Sequence, residues 1–135
     1  RFLKGEGYGF AALCNQGDCD TEELCWIMSN MLMDRPLEES QRWLHPVGRE
    51  FSEPQALTGT YICHEGIPSE MTVYVTDNGK LEANTQLGVM QLEYCGESWF
   101  QGFRNGETAS RCRFLVRDGK AWGVMVYTRV WERKE

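Results

Sequence analysis

From Leu57 to Glu135, the chain is a succession of strand-like segments separated by short turns, and this succession limits the folds open to it. Strands that follow one another through short turns favour an antiparallel meander. Closing such a meander into a barrel removes the unpaired edges that would otherwise promote aggregation. We therefore predict a mainly β (α+β) protein in which an antiparallel meander closes into a barrel. Its seven predicted strands are residues 58–64, 70–76, 80–85, 88–94, 98–103, 110–117 and 120–132.

Two of the connecting turns have the sequence of tight hairpins. Residues 77–80 read Asp-Asn-Gly-Lys and residues 118–120 read Asp-Gly-Lys. Asn and Gly tolerate the positive φ that short hairpin turns require. In residues 71–76 and 112–117, just before these turns, apolar and polar side chains roughly alternate. Such alternation indicates strands with one buried and one solvated face.

A different pattern precedes the barrel. The apolar run at 8–13 predicts a buried strand, and Asp20 has the position of an N-cap for a helix that extends to Asp34. One face of this helix is apolar, with Leu24, Ile27, Met28, Met31 and Leu32 at helical spacing. Because this face must be buried against something, an open sheet covered by the helix is the alternative to a closed barrel.

The remaining N-terminal residues suggest how the chain is divided. Pro36 favours a second, short helix at 37–44, since proline suits the first turn of a helix. We expect three parts: a strand-helix-helix segment at 1–46, a linker at 47–56 and the barrel domain at 57–135. The first part is the end of another domain or a cover on the barrel.

Charge and hydropathy exclude two classes of partner. The formal net charge is −6, whereas nucleic-acid binding needs clustered basic residues that displace counterions. No apolar run approaches the ~20 residues that a membrane helix requires. We therefore expect neither a nucleic-acid partner nor a membrane span, and the cellular compartment stays open.

The cysteine spacing predicts neither a metal nor a cofactor. The chain has six cysteines but no Cys-x-x-Cys pair of the kind that structural zinc sites use. Those on strand-like segments, Cys63 and Cys112, are expected to be free and buried. A bond between Cys14 and Cys19 in an oxidising compartment remains open.

The sequence predicts no catalytic residue for this chain. It contains neither Gly-x-Ser-x-Gly nor Ser-x-x-Lys, the motifs that present and activate a serine nucleophile. His64-Glu65 begins like a His-Glu-x-x-His zinc motif, but the second histidine is missing.

Candidate ligand-binding residues come from the strands. Arg111, Arg113 and Arg117 fall at alternate positions and project to one side of a strand, opposite Cys112, Phe114 and Val116. We expect them to face solvent; if they lined the barrel instead, they would form an anion-binding stripe. Tyr61, Trp99 and Trp122 are large enough to line a barrel, with core packing as the alternative. The predicted ligand-binding set is Tyr61, Trp99, Arg111, Arg113 and Trp122.

Two stretches carry a resemblance to a known family. Residues 7–17, Gly-Tyr-Gly-Phe-Ala-Ala-Leu-Cys-Asn-Gln-Gly, and the helix after them resemble the last core strand, turn and final helix of serine hydrolases of the β-lactamase and penicillin-binding-protein type. Residues 57–61, Leu-Thr-Gly-Thr-Tyr, and the hairpins that end at residues 119–123, Gly-Lys-Ala-Trp-Gly, resemble the lipocalin-like barrel appended to some of these hydrolases. The likeness covers most of the chain through short, glycine-based motifs.

The resemblance implies a C-terminal accessory domain without catalytic residues. The family's nucleophile, Tyr-x-Asn and Lys-Thr-Gly or His-x-Gly motifs would all precede Arg1, and His64-Glu65-Gly66 matches the last one only by its letters. The partner would be the N-terminal catalytic domain of the parent chain, whose substrate entrance the barrel would shape or whose fold it would stabilise. The alternatives are a free-standing lipocalin-like carrier of a small apolar or anionic ligand and a module that docks a partner through the acidic helical region.

Overall fold

A computed structural model describes residues 2–3, 5, 7–13, 15, 21–37, 44–65 and 69–134. The chain forms two compact units, Arg1–Trp43 and Leu44–Glu135. The protein is mainly β, with a single helix ahead of a closed antiparallel barrel in the described part, as the sequence predicts. The alternative of an open sheet is therefore excluded.

The first unit contains a small ribbon and one helix. Strands β1 (Phe2–Leu3) and β2 (Tyr8–Gly9) pair antiparallel, and helix α1 spans Thr21–Leu32. The helix is confirmed. The buried strand predicted at 8–13 is wrong in its extent, because strand structure ends at Gly9 and the Leu13 side chain is 99% exposed.

The buried face of α1 differs from the prediction. Its buried residues are Trp26, Ser29 and Asn30, whereas four of the five predicted apolar residues are exposed: Leu24, Met28, Met31 and Leu32. The hydroxyl of Ser29 donates to the carbonyl of Cys25 at 2.7 Å, and the side-chain amide of Asn30 donates to the carbonyl of Pro36 at 3.1 Å. These bonds satisfy polar groups that helical periodicity places on the solvent side. The second helix predicted at 37–44 falls largely on residues 38–43, outside the described residues.

The second unit is a closed barrel of eight antiparallel strands. They are β3 (Gly59–Cys63), β4 (Ser69–Val75), β5 (Leu81–Thr85), β6 (Gly88–Gly96), β7 (Trp99–Arg104), β8 (Glu107–Arg117), β9 (Lys120–Val126) and β10 (Arg129–Arg133). Each strand pairs with the next along the chain, and β10 closes the barrel by pairing with β3.

The predicted count of seven strands is wrong by one. The segment predicted as a single strand at 120–132 turns back at Tyr127-Thr128, so that Val126 pairs with Arg129. Tyr127 takes a φ of 53°, a conformation in which turns usually place Gly, Asn or Asp. The turn therefore lacks the residues by which sequence reasoning detects hairpins.

The segment ahead of the barrel, residues 44–53, lies against strands β6 and β7, and we call it the strap. The backbone N–H of Leu44 donates to the side-chain carbonyl of Gln101 at 3.0 Å, and that of Val47 donates to the carbonyl of Tyr94 at 3.0 Å. A short 3-10 helix, Pro54–Leu57, follows and packs on β4 and β9. The second compact unit thus begins at Leu44, and it includes the residues for which we predict a linker.

Among the helices of the described segments, none is both long and apolar enough to cross a membrane.

Candidate functional site

Aromatic side chains occupy the barrel interior. The Phe114 ring meets the rings of Tyr61 and Phe100 edge to face, with centroid separations of 5.9 and 5.4 Å. All three side chains are at most 1% exposed. Phe100 in turn contacts Tyr94 and Phe51, at 5.5 and 5.7 Å. A small barrel filled in this way has a packed core.

Tyr61, a predicted ligand-binding residue, belongs to this core. Its hydroxyl donates to the carbonyl of Leu57 at 2.6 Å. Burial raises the pKa of this hydroxyl to about 12, although the nearby Arg133 guanidinium opposes the shift. The interior location fits a barrel-lining residue, but the side chain packs against protein on every side.

The arginine stripe of β8 lies on the outer wall. Cys112 and Phe114 are buried, whereas Arg113 and Arg117 are exposed and Arg111 is half-buried. The alternative that this stripe lines the barrel interior is wrong. Val116 also departs from prediction, since a bulge at Leu115/Val116 shifts the pairing register and the Val116 side chain is 45% exposed.

The two candidate tryptophans also lie outside the barrel. The Arg113 guanidinium carbon lies 5.6 Å from the centroid of the Trp99 ring, and that of Arg117 lies 5.7 Å from the Trp122 ring. Trp122 is the extra residue of the bulge, because Leu115 pairs with Gly123 while Val116 pairs with Ala121. The prediction that Trp99 and Trp122 line the barrel is therefore wrong. The structure thus places Trp99, Arg113 and Trp122 on the outer wall, away from Tyr61.

Sequence reasoning missed two arginines on the inner side. Arg104 shares its face of β7 with Phe100, and its Nη2 lies 3.5 Å from the hydroxyl of Thr85. Arg133 pairs in register with Tyr61, and its Nη1 donates to the carbonyl of Ala121 at 3.1 Å. Each lies one residue beyond the end of a predicted strand, at 103 and 132, so the alternation within the predicted strands does not reach it.

Polar atoms without partners occur near one end of the barrel. Ser110 is 7% exposed, and its hydroxyl has no hydrogen-bond partner among the described residues. The same holds for the buried Nε of Arg104.

A cavity of about 330 Å³ lies between the strap and the barrel, and residues of the barrel core form part of its lining. Apolar and aromatic residues form one part of its lining: Phe51, Leu81, Leu92, Tyr94 and Phe100. Charged residues form another: Arg49 and Glu50 from the strap, with Lys80 and Glu93 from the barrel. Such a combination of apolar surface with a few polar groups is typical of small-molecule sites. None of the five predicted ligand-binding residues lines this cavity.

The lining of this cavity contains no histidine and no cysteine. The described residues contain no cluster of three or more His, Cys, Asp or Glu residues that could hold a metal ion. His45 and His64 are both exposed. Burial raises the pKa of Cys95, and it raises that of Cys112 to about 12. These two cysteines are therefore protonated near neutral pH, which makes them poor nucleophiles.

No family model, no curated protein and no solved structure matches this chain.

Proposed function

We propose that this chain is a non-catalytic accessory domain, the lipocalin-like C-terminal part of a serine hydrolase of the β-lactamase type. The observation that carries the proposal is the filled interior of the barrel, where Tyr61, Phe100 and Phe114 pack edge to face. A barrel whose centre is packed in this way has no room there for a substrate, so it would contribute through its outer surface, its ends and its rigidity. Its role would be to stabilise the catalytic domain or to shape the substrate entrance.

The same packing weighs against the alternative of a carrier that holds an apolar ligand inside the barrel. Each ring of the aromatic stack would have to leave its neighbours before a ligand could enter. Among the described residues, Arg104 and Arg133 on the inner face have no carboxylate partner. An apolar ligand inside the barrel would lie next to these unpaired charges. Burial of unpaired charge against apolar groups is unfavourable.

The first experiment is to recover the natural gene product from its source cells with an antibody raised against this chain. We expect a product much larger than 15.6 kDa, with a Ser-x-x-Lys motif upstream of Arg1. A natural product near 15.6 kDa would overturn the proposal. So would a larger product without that motif.

A second experiment tests the division of labour in the recovered full-length protein. Hydrolysis of a chromogenic β-lactam and of p-nitrophenyl acetate is measured for the full-length protein, for its variant with the motif serine changed to alanine, and for the 135-residue chain. We expect activity only in the unchanged full-length protein. Hydrolysis of the β-lactam by the 135-residue chain would contradict the non-catalytic role.

A further inference from the structure

The cavity beside the strap has an apolar side that is organised by aromatic contacts. The Phe51 ring of the strap lies 5.4 Å from the Tyr94 ring and 5.7 Å from the Phe100 ring of the barrel, measured between centroids. Leu81 and Leu92 extend this apolar lining. The packing of these side chains holds the strap against the barrel and so fixes the shape of the cavity. The backbone N–H of Val47, which donates to the carbonyl of Tyr94, holds the strap at a second point.

The charged side of the cavity is balanced on both walls. The strap contributes Arg49 and Glu50, and the barrel contributes Lys80 and Glu93, so each wall carries one cation and one anion. Within the described part of the chain, none of these four side chains makes an ion pair or side-chain hydrogen bond. The Arg49 guanidinium carbon instead lies 5.8 Å from the centroid of the Tyr94 ring.

We propose that this cavity binds a free α-amino acid with an apolar, preferably aromatic, side chain. The ammonium group of such a ligand would pair with Glu93 or Glu50, and its carboxylate would pair with Arg49 or Lys80. Its side chain would pack on the half-buried rings of Phe51 and Tyr94, which favour an aromatic guest. A ligand with a single charge would pair with only the acidic or only the basic residues of the lining. The volume of about 330 Å³ suits a molecule of this size.

This inference goes beyond the proposed accessory role and does not depend on it, because it concerns the second compact unit alone. Failure of the amino-acid binding would leave the size and upstream sequence of the natural product unaffected. Failure of the accessory role would likewise leave amino-acid binding by the 135-residue chain unaffected. The outcomes of the two tests are therefore independent.

Isothermal titration of the 135-residue chain tests the ligand class with four compounds: L-phenylalanine, 3-phenylpropionate, phenethylamine and glycine. The second lacks the ammonium group, the third lacks the carboxylate and the fourth lacks the side chain. We expect L-phenylalanine to bind at least about tenfold more tightly than each of the others. Equal binding of 3-phenylpropionate or phenethylamine would overturn the zwitterion assignment, and absence of any phenylalanine binding would overturn the site.

Two variants locate the site, and a third serves as the matched control. Arg49→Gln and Glu93→Gln should each weaken phenylalanine binding by about tenfold. Arg117→Gln removes a guanidinium from a comparable position, 5.7 Å from the Trp122 ring on the outer wall, and should leave binding unchanged. Circular dichroism melting checks that each variant is folded. If Arg117→Gln weakened binding as much as the two cavity variants did, the cavity would not be the site.

Discussion

The hydroxyl of Tyr61 donates a 2.6 Å hydrogen bond to the carbonyl of Leu57, so a strand of the barrel holds the end of the short helix that precedes it. Both residues are fully buried. The 3-10 helix leaves carbonyls without partners at its end, and the tyrosine hydroxyl satisfies one of them. This bond links the aromatic core to the segment that leads in from the strap.

Tyr61→Phe removes this bond while keeping the ring in place. The buried Leu57 carbonyl then loses its side-chain partner, and we expect a loss of about 1–3 kcal/mol in the free energy of unfolding. Urea denaturation followed by tryptophan fluorescence measures the change. Tyr74→Phe is the control, because the Tyr74 hydroxyl meets Glu82 at 2.8 Å in a more exposed position. An equal loss in both variants would contradict the special role of Tyr61.

Phe114 is the centre of the aromatic stack, since its ring contacts both Tyr61 and Phe100. Phe114→Ala should lower the free energy of unfolding by about 3–5 kcal/mol, because it removes these contacts and leaves a cavity. Phe114→Leu should cost less, and it remains measurable if the alanine variant does not fold. Trp122→Ala, on the outer wall, is the control for loss of a large ring. Equal losses for Phe114→Leu and Trp122→Ala would show that the interior is loosely packed.

The sequence predicts the barrel because most of its strands end in recognisable turns. The turns at 77–80 and 118–120 contain Asn or Gly, and the alternation before them places Cys112 and Phe114 inside correctly. The turn at Tyr127-Thr128 has no such residue, and only the pairing of β9 with β10 reveals it. A single residue with positive φ is tolerated there because the flanking strands fix the geometry.

The candidate site was harder to predict, for two physical reasons. Bulges interrupt the alternation of inward and outward side chains along a strand. At the bulge in β9, Trp122 points outward, although Ala121 before it and Val124 after it are buried. The cavity also depends on the strap, which brings Phe51 against Tyr94 through contacts between residues far apart in sequence. Periodicity along one strand carries no information about such contacts.

Stability should fall at high pH because two buried groups resist ionisation. Burial raises the pKa of Cys112 from its ordinary 9.0 to about 12, and that of Tyr61 from 10.0 to about 12. Above pH 9 the unfolded chain therefore loses protons that the folded chain retains, which favours unfolding. We expect the free energy of unfolding to decrease progressively between pH 9 and 12, by up to about 1.4 kcal/mol per pH unit for each group.

Cys112→Ala separates the thiol from the other groups that titrate in this range. The variant should be less stable at pH 7, because a buried sulfur is lost, but its stability should decline less steeply between pH 9 and 12. Urea unfolding at several pH values provides both quantities. Parallel pH profiles for the two proteins would mean that Cys112 ionises equally well in the folded and unfolded chains.

Gly59 is held at a φ of 147°, and a Cβ atom built there would lie 2.8 Å from Nε of Arg133. Gly59→Ala should therefore displace the guanidinium and break its bond to the carbonyl of Ala121. Gly79→Ala is the matched control, because Gly79 also has a positive φ, 81°, but its Cβ would meet no atom within 4 Å. We expect Gly59→Ala to cost about 1–3 kcal/mol more than Gly79→Ala.

A double-variant cycle then assigns the cause of that excess cost. In a background of Arg133→Ala, the guanidinium is absent, and the cost of Gly59→Ala should fall to the backbone strain that an alanine meets at a φ of 147°. Urea unfolding of the two single variants and the double variant gives the coupling free energy. A cost of Gly59→Ala that is the same with and without Arg133 would show that the backbone conformation, and not the close approach of the guanidinium, requires glycine at this position.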